Sequence, residues 1–453
     1  MLPARKVQDI PEETVRVAKA SFPKGNRYIM FRDEMGVIYH DAAFADLFVW
    51  RGQPAESPGF LAMVTILQFA EGLTDRQAAE AVGSRIDWKY VLGLELTAPA
   101  IAHASLSKFR QRLIEGGQEQ LLLDAMLNHL KARGWLKGVR RQRTDSTHVL
   151  AAIRDMNRLE FLGETLRAAL NDLASLAPDW LLEQVSADWF GVYGPRFENY
   201  RLPQERTERE ALQVRIGQDG YHLLDVVYSQ TAPGWLRELP SLQVLRQVWI
   251  QQYYQENDTV HIRTQKKFGL PPNRLMIPSP YDPEARNRTK RDTNWTGYTL
   301  HLTETCEAQH PNLITDCQTT PATVADGQLT EAIHQALERK GLLPDEHLVD
   351  TRYVDAELLL SSRGTYAVDL IGPVPPNPSW QLKDEQAYDL SWFAIDWDNQ
   401  RVTCPQGKHS TRWQLRQTPE GTPMIDVKFR QPTVPPVLRA LGVPEARAAA
   451  LEV

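Results

Sequence analysis

The chain has 453 residues and a formal net charge of −6, with 42% hydrophobic and 24% charged residues, an ordinary composition for a globular protein. No run approaches the roughly 18 apolar residues of a membrane span, the first residues lack the apolar stretch of a signal peptide, and three scattered cysteines indicate a reducing compartment. We therefore expect a cytoplasmic protein of two or three domains with no membrane partner, whose mild acidity excludes a surface that is basic everywhere.

Residues 1–136 are predicted to form a mainly helical N-terminal domain that binds DNA or multimerises. The strongly apolar segment 59–71 predicts a buried helix that ends at Gly72. Thr74 with Gln77 three positions later is a capping box that starts the next helix. Two short helices around a glycine-containing turn resemble a helix-turn-helix. Short helical hairpins are common in any helical domain, so both DNA recognition and a purely structural hairpin remain open.

Residues 137–430 are predicted to form an α/β domain. Strands are expected in 139–153, 297–304, 312–320, 346–350 and 367–371, with an amphipathic helix at 328–340 and a helical insertion at about 154–275. Without the insertion, this is the element order of an RNase H-like domain. In such a sheet the first and fourth strands are parallel neighbours, and the helix supplies the crossover that parallel strands need.

Two aspartates stand at the ends of these two predicted parallel strands. Asp145 follows Arg143-Thr144, and Asp350 follows His347-Leu-Val. Mg²⁺ prefers carboxylate oxygens, and two such ions can drive phosphoryl transfer. We therefore predict Asp145 and Asp350 as catalytic metal ligands for Mg²⁺ or Mn²⁺. A complete two-ion site needs a third acid. For any single strand-end aspartate, a turn or helix-capping role is the commoner interpretation.

Two basic stretches flank this predicted site in the sequence. They contain the candidate DNA-binding residues Arg140, Arg141 and Arg143, and Arg286, Arg288, Lys290 and Arg291. Such residues neutralise phosphates without reading the base sequence. The alternative interpretation is a solvated strand edge for the first stretch and a charged loop for the second.

Several segments together resemble the DDE-type transposases of bacterial insertion sequences. Residues 61–79 and 107–113 are similar to the InsH-type N-terminal domain of these enzymes, and segments 143–148, 279–304, 313–326 and 347–357 are similar to their catalytic region. The resemblance implies that Asp145 and Asp350 hold two Mg²⁺ or Mn²⁺ ions in a complete site. It also implies hydrolysis of a phosphodiester at the element's end, followed by attack of the freed 3′-hydroxyl on target DNA. The implied partners are element-end DNA, target DNA and further copies of the chain assembled on DNA.

Two departures from the family pattern shape the expectations. Arg352 stands where relatives usually carry glycine, which would strain the backbone if that position required a positive φ. Relatives also continue into a helix that brings a catalytic glutamate, whereas residues 431–453 form an atypical tail, expected to be disordered. We therefore expect a copy that lacks the third acid and is nearly inactive. The alternatives are a non-catalytic DNA-binding remnant and a stand-alone RNase H-like nuclease.

Overall fold

The protein is described by a computed structural model. It describes residues 9–48, 55–257, 259–265, 269–290, 292–308, 310–373, 388, 390–417, 423–430 and 450–452. The chain divides into two compact units, Met1–Pro373 and Val374–Val453. Across these described residues, no helix combines the length and apolarity needed to cross a membrane.

The N-terminal part of the first unit is helical, as predicted. Its helices are α1 (Glu12–Ser21), α2 (Arg27–Met35), α3 (Pro58–Glu71), α4 (Asp75–Ser84), α5 (Ile86–Leu92), α6 (Ala104–Glu115) and α7 (Leu121–Ala132). Helix α3 ends at Gly72, which adopts the left-handed conformation that glycine permits. The predicted capping box of Thr74 and Gln77 is confirmed at the start of α4, where it satisfies two backbone amides.

The first strand, β1 (Arg141–Leu150), leads into a mainly helical segment with its own core. This segment contains α8 (Arg158–Leu176), α9 (Pro178–Gln184), α10 (Asp188–Tyr193), α11 (Arg206–Val227), α12 (Pro240–Gln252) and the hairpin β2 (Tyr253–Glu256) and β3 (Thr259–Ile262). Trp249 and Tyr253 are almost fully buried at its centre. The hairpin was not predicted, because residues 242–254 carry a continuous helical pattern.

The remaining strands of the first unit form one mixed sheet with β1. They are β4 (Arg286–Lys290), β5 (Thr293–Thr305), β6 (Ile314–Pro321), β7 (Glu346–Val349) and β8 (Asp369–Ile371), and the helices α13 (Thr330–Arg339) and α14 (Ala356–Tyr366) lie between the last three in the chain. The strand order is β6-β5-β1-β7-β8, and β4 also pairs with β5. Strand β1 is antiparallel to β5 and parallel to β7, which confirms the predicted parallel pairing.

One hydrophobic cluster joins the N-terminal helices to this sheet. Trp88 and Phe109 from α5 and α6 belong to the same buried cluster as Ile333 of α13, Val349 of β7 and Tyr353. The predicted domain boundary between residues 136 and 137 therefore lies inside a single compact unit.

The second unit is built from short antiparallel strands. They are β9 (Ala394–Asp396), β10 (Arg401–Thr403), β11 (Arg412–Gln417), β12 (Pro423–Lys428) and β13 (Ala450–Glu452). Val402, Ile425 and Val427 form its small core. Of the segment 431–453, which was expected to be a disordered tail, only the backbone of 450–452 is described, paired with β12. The rest of that expectation lies outside the described residues.

Candidate two-aspartate site

Asp145 and Asp350 each follow one member of a residue pair on two neighbouring strands. The parallel register of β1 and β7 ends with Thr144 opposite Val349. Asp145 is the next residue within β1, and not at the end of the strand as predicted, whereas Asp350 directly follows β7. Thr144 and Val349 are buried, and side chains alternate between the two faces of a strand. The aspartates therefore share the opposite face, where Asp145 is exposed and Asp350 is half-buried. Neighbouring strands lie about 4.8 Å apart, so the backbones of the two aspartates lie close together.

Each aspartate also accepts a local backbone hydrogen bond. Asp145 Oδ1 accepts from the Ser146 amide at 2.7 Å, and Asp350 Oδ1 accepts from the Arg352 amide at 2.8 Å. Asp350 is thus the N-cap of a 3₁₀ turn at Thr351–Tyr353, which is the structural role considered from the sequence. A carboxylate has two oxygens with two lone pairs each, so capping leaves room for a further ligand.

The strain hypothesised for Arg352 is wrong. In the described parts of the chain, the non-glycine residues with positive φ are Asn257, Ala367 and Gln400. Arg352 lies inside the 3₁₀ turn with an ordinary backbone conformation and donates its amide to Asp350. An arginine at this position is therefore compatible with the turn.

The donor set suits one hard cation better than two. Two carboxylates are sufficient for a Mg²⁺ ion that keeps several waters. Throughout the described ranges, no group of three or more His, Cys, Asp or Glu side chains is placed to hold a metal ion. The third acid of a two-ion centre is therefore not supplied by the described residues as they are arranged here.

A buried polar chain lies under the aspartates, on the other face of the sheet. His334 Nε2 and His347 Nδ1 are 2.8 Å apart, His347 Nε2 and Thr144 Oγ1 are 2.7 Å apart, and Thr144 Oγ1 and Thr303 Oγ1 are 2.7 Å apart. One assignment that satisfies all three bonds has His334 donate to His347, His347 to Thr144 and Thr144 to Thr303. Both imidazoles are then neutral, and the chain passes through Thr144, the residue before Asp145.

This chain makes the stability of the fold sensitive to acid. Burial lowers the pKa of His334 to about 4, and burial together with His334 lowers that of His347 to about 3. Unfolded histidines take up protons near pH 6.5, whereas these two do so only at lower pH. The free energy of unfolding should therefore fall as the pH drops below 6.5, by about 1 kcal/mol per pH unit for each ring. Denaturant unfolding between pH 4 and 8 measures this slope.

Single histidine variants identify the source of the slope. His334→Gln should reduce the acid-dependent loss of unfolding free energy by the part that one histidine contributes. His103→Gln, at an exposed position, should leave that loss unchanged. Equal slopes in the wild type and His334→Gln would show that other groups cause the acid sensitivity.

The arginines of the first basic stretch each pair with an acid. The pairs are Arg140–Asp345 at 3.5 Å, Arg141–Glu346 at 2.7 Å and Arg143–Glu304 at 2.5 Å. All three guanidinium groups are more than half exposed, and exposed pairs of this kind contribute little stability. The three arginines lie on the same sheet face as the aspartates or at its edge. A DNA phosphate could therefore replace their paired carboxylates with little loss of stability.

The second basic stretch has a mainly structural role in its first half. It forms strand β4 and not the charged loop considered as an alternative. Arg286 donates to the carbonyls of Arg274, Pro283 and Ala285, and Arg288 donates to the carbonyl of Ala322 at 2.8 Å. The Lys290 side chain forms no hydrogen bond or ion pair with a described residue, whereas Arg291 lies outside the described residues. Of the described cations in this stretch, Lys290 is therefore the one left for an anion.

Three buried residues next to the aspartates had no role assigned from the sequence. They are His301 on β5, Asp326 after β6 and Tyr353 after β7, each at most 2% exposed. All three lie in segments that resemble the transposase catalytic region. Their burial could not be deduced because it depends on the packing of distant segments.

Residues 17–112 match the family model of a transposase domain (DUF772). The match spans helices α2 to α5, the second half of α1 and most of α6. It supports an insertion-sequence transposase, for which DNA is the implied partner. Searches of curated proteins and of solved structures gave no match. The transposase domain thus coincides with the helical N-terminal region that the sequence predicted.

Proposed function

We propose that the chain is a DDE-type transposase whose sheet is RNase H-like and whose aspartates Asp145 and Asp350 are metal ligands. One observation supports the proposal: the parallel register of β1 and β7 ends one residue before each of these aspartates, although they are far apart in the sequence. The strand order β6-β5-β1-β7-β8, with antiparallel pairs on one side of β1 and parallel pairs on the other, is the order expected of an RNase H-like sheet. The transposase domain at residues 17–112 supports the same function.

The residues of the site have two tasks, which are cation binding and neutralisation of DNA phosphates. Asp145 and Asp350 each use one oxygen for a backbone amide and keep the other side of the carboxylate for a cation. Bound Mg²⁺ or Mn²⁺ supplies activation of water and stabilisation of the leaving oxygen in phosphodiester cleavage. Arg141 and Arg143 lie on the same exposed face of β1, where they can neutralise the phosphates of bound DNA.

Cleavage of DNA tests this function directly. The substrate is a duplex that carries the nucleotide sequence flanking the gene for this chain, incubated with the full chain and Mg²⁺ or Mn²⁺. Because the described residues supply no third acid, we expect only weak nicking, which leaves 3′-hydroxyl ends and disappears with EDTA. Cutting of unrelated duplexes at the same rate would instead indicate a general nuclease.

The salt dependence of DNA binding tests the first basic stretch. Each phosphate contact contributes about 0.9 to the slope of log affinity against log salt concentration. Arg143→Gln should therefore reduce this slope by about one. Arg206→Gln is the matched control, because Arg206 is also an exposed arginine paired with a glutamate, but on α11. If both variants showed the same slope of log affinity against log salt concentration, Arg143 would not contact the DNA phosphates.

A non-catalytic DNA-binding role is the second candidate. It is favoured by the match of the transposase domain to the helical region alone and by the lack of a three-acid group in the described residues. It predicts salt-dependent binding to element ends with no metal-dependent cleavage.

A further inference from the structure

The hydroxyl of Tyr353 ties the turn after Asp350 to strand β5. Tyr353 is fully buried and ends the turn that Asp350 caps. Its hydroxyl is 2.5 Å from His301 Nδ1 on β5. His301 lies opposite Ser146, the residue after Asp145, so this bond connects the turn after the second aspartate with the strand paired beside the first.

His301 fixes the direction of this hydroxyl. It lies opposite Ser146 in the register of β1 and β5, and its ring meets the Tyr353 ring edge-on with centroids 5.7 Å apart. Its Nε2 is 3.4 Å from Thr320 Oγ1 on β6. With Nε2 protonated, Nδ1 accepts from the Tyr353 hydroxyl. The phenol is therefore held by β5, the strand that pairs with β1.

The backbone of the same turn is held from the other side. Thr330 Oγ1 donates to the Tyr353 carbonyl at 3.1 Å. Asp326, four residues earlier, is 2% exposed, and neither of its oxygens accepts a hydrogen bond from a described residue. Its closest cation is Arg288, at 3.9 Å. Burial raises the pKa of the Tyr353 hydroxyl, and the charges of Asp326, Asp350 and Asp145 raise it further.

We propose that Tyr353 is a positioning residue, whose hydroxyl fixes the turn after Asp350 to His301 on β5, the strand paired with β1, and so holds the two aspartates at the spacing a divalent cation requires. This inference rests on the proposed function. Without the hydroxyl, the packing of the ring remains, but the bond to His301 is lost. The turn and the strand can then shift relative to each other, and the cation site loosens.

The test compares Tyr353→Phe with Tyr253→Phe in the full chain. Tyr253 is also buried and donates its hydroxyl to a backbone carbonyl, that of Gln213 at 2.8 Å, within the helical segment. Both variants lose one buried hydroxyl, so both should lose comparable thermal stability. Mn²⁺ affinity, measured by electron paramagnetic resonance, should fall about tenfold in Tyr353→Phe and stay at the wild-type value in Tyr253→Phe.

A second measurement needs no metal. Hydrogen exchange of peptides covering 143–148 and 348–354 should accelerate in Tyr353→Phe and not in Tyr253→Phe. Unchanged exchange there, or equal Mn²⁺ affinity in both variants, overturns the positioning role while the metal site stands. If wild-type Mn²⁺ binding is absent or unaffected by Asp145→Asn, the proposed metal site itself fails, and the positioning role fails with it.

Discussion

Asp145→Asn is expected to abolish the weak Mg²⁺-dependent cleavage of element-end DNA that a site without a third acid retains, since a bound metal ion stabilises the transition state by several kcal/mol. Asparagine keeps an oxygen that accepts the Ser146 amide, so the local hydrogen bond survives. It loses the negative charge that holds a divalent cation. Initial rates with a labelled duplex, together with thermal unfolding of both proteins, measure the effect.

The control for this experiment lies near the opposite end of β7. Asp345 immediately precedes that strand, is 69% exposed and pairs with Arg140. Asp345→Asn removes the same charge without touching the site, so its cleavage rate should equal that of the wild type. Asp350→Asn should behave like Asp145→Asn, because asparagine also caps helical turns well. If the Asp145→Asn variant cleaved DNA at the wild-type rate, Asp145 would not be a metal ligand.

The second large effect is on the sheet itself. Gly297 lies opposite Leu150 in the β1–β5 pair, with a φ of +152° that side chains rarely adopt. A Cβ there would lie 2.2 Å from the Val149 carbonyl oxygen and 2.6 Å from the Ala151 nitrogen. Both are backbone atoms that cannot turn away. Gly297→Ala should therefore reduce the free energy of unfolding by about 3–5 kcal/mol, from overpacking and backbone strain together.

Gly364→Ala is the matched substitution for comparison. Gly364 lies in α14, and a Cβ there meets nothing within 4 Å. Alanine in a helix is favoured over glycine, so this variant should gain about 0.5–1 kcal/mol. Urea denaturation of the two variants side by side gives both values. A Gly297→Ala protein as stable as the wild type would show that β1 and β5 separate easily at this point.

The sequence predicted those features that depend on local pattern. The capping box at Thr74, the apolar helix α3 and the parallel pairing of β1 with β7 follow from residue spacing and element order. The acid partners of the arginines were not predictable, because Arg143 and Glu304 meet only through the β1–β5 register. The strain expected at Arg352 was wrong for a related reason. Its conformation is set by the turn that Asp350 caps and not by the residue type.

The apolar cluster shared by the N-terminal helices and the sheet limits how this protein can be dissected. Leu106 and Phe109 of α6 are buried in the same cluster as Ile333 and Leu337 of α13. A fragment that starts at residue 137 would leave this apolar side of α13 open to water, and a large exposed apolar patch promotes aggregation. Isolated pieces would report on misassembly and not on the chemistry of the aspartates.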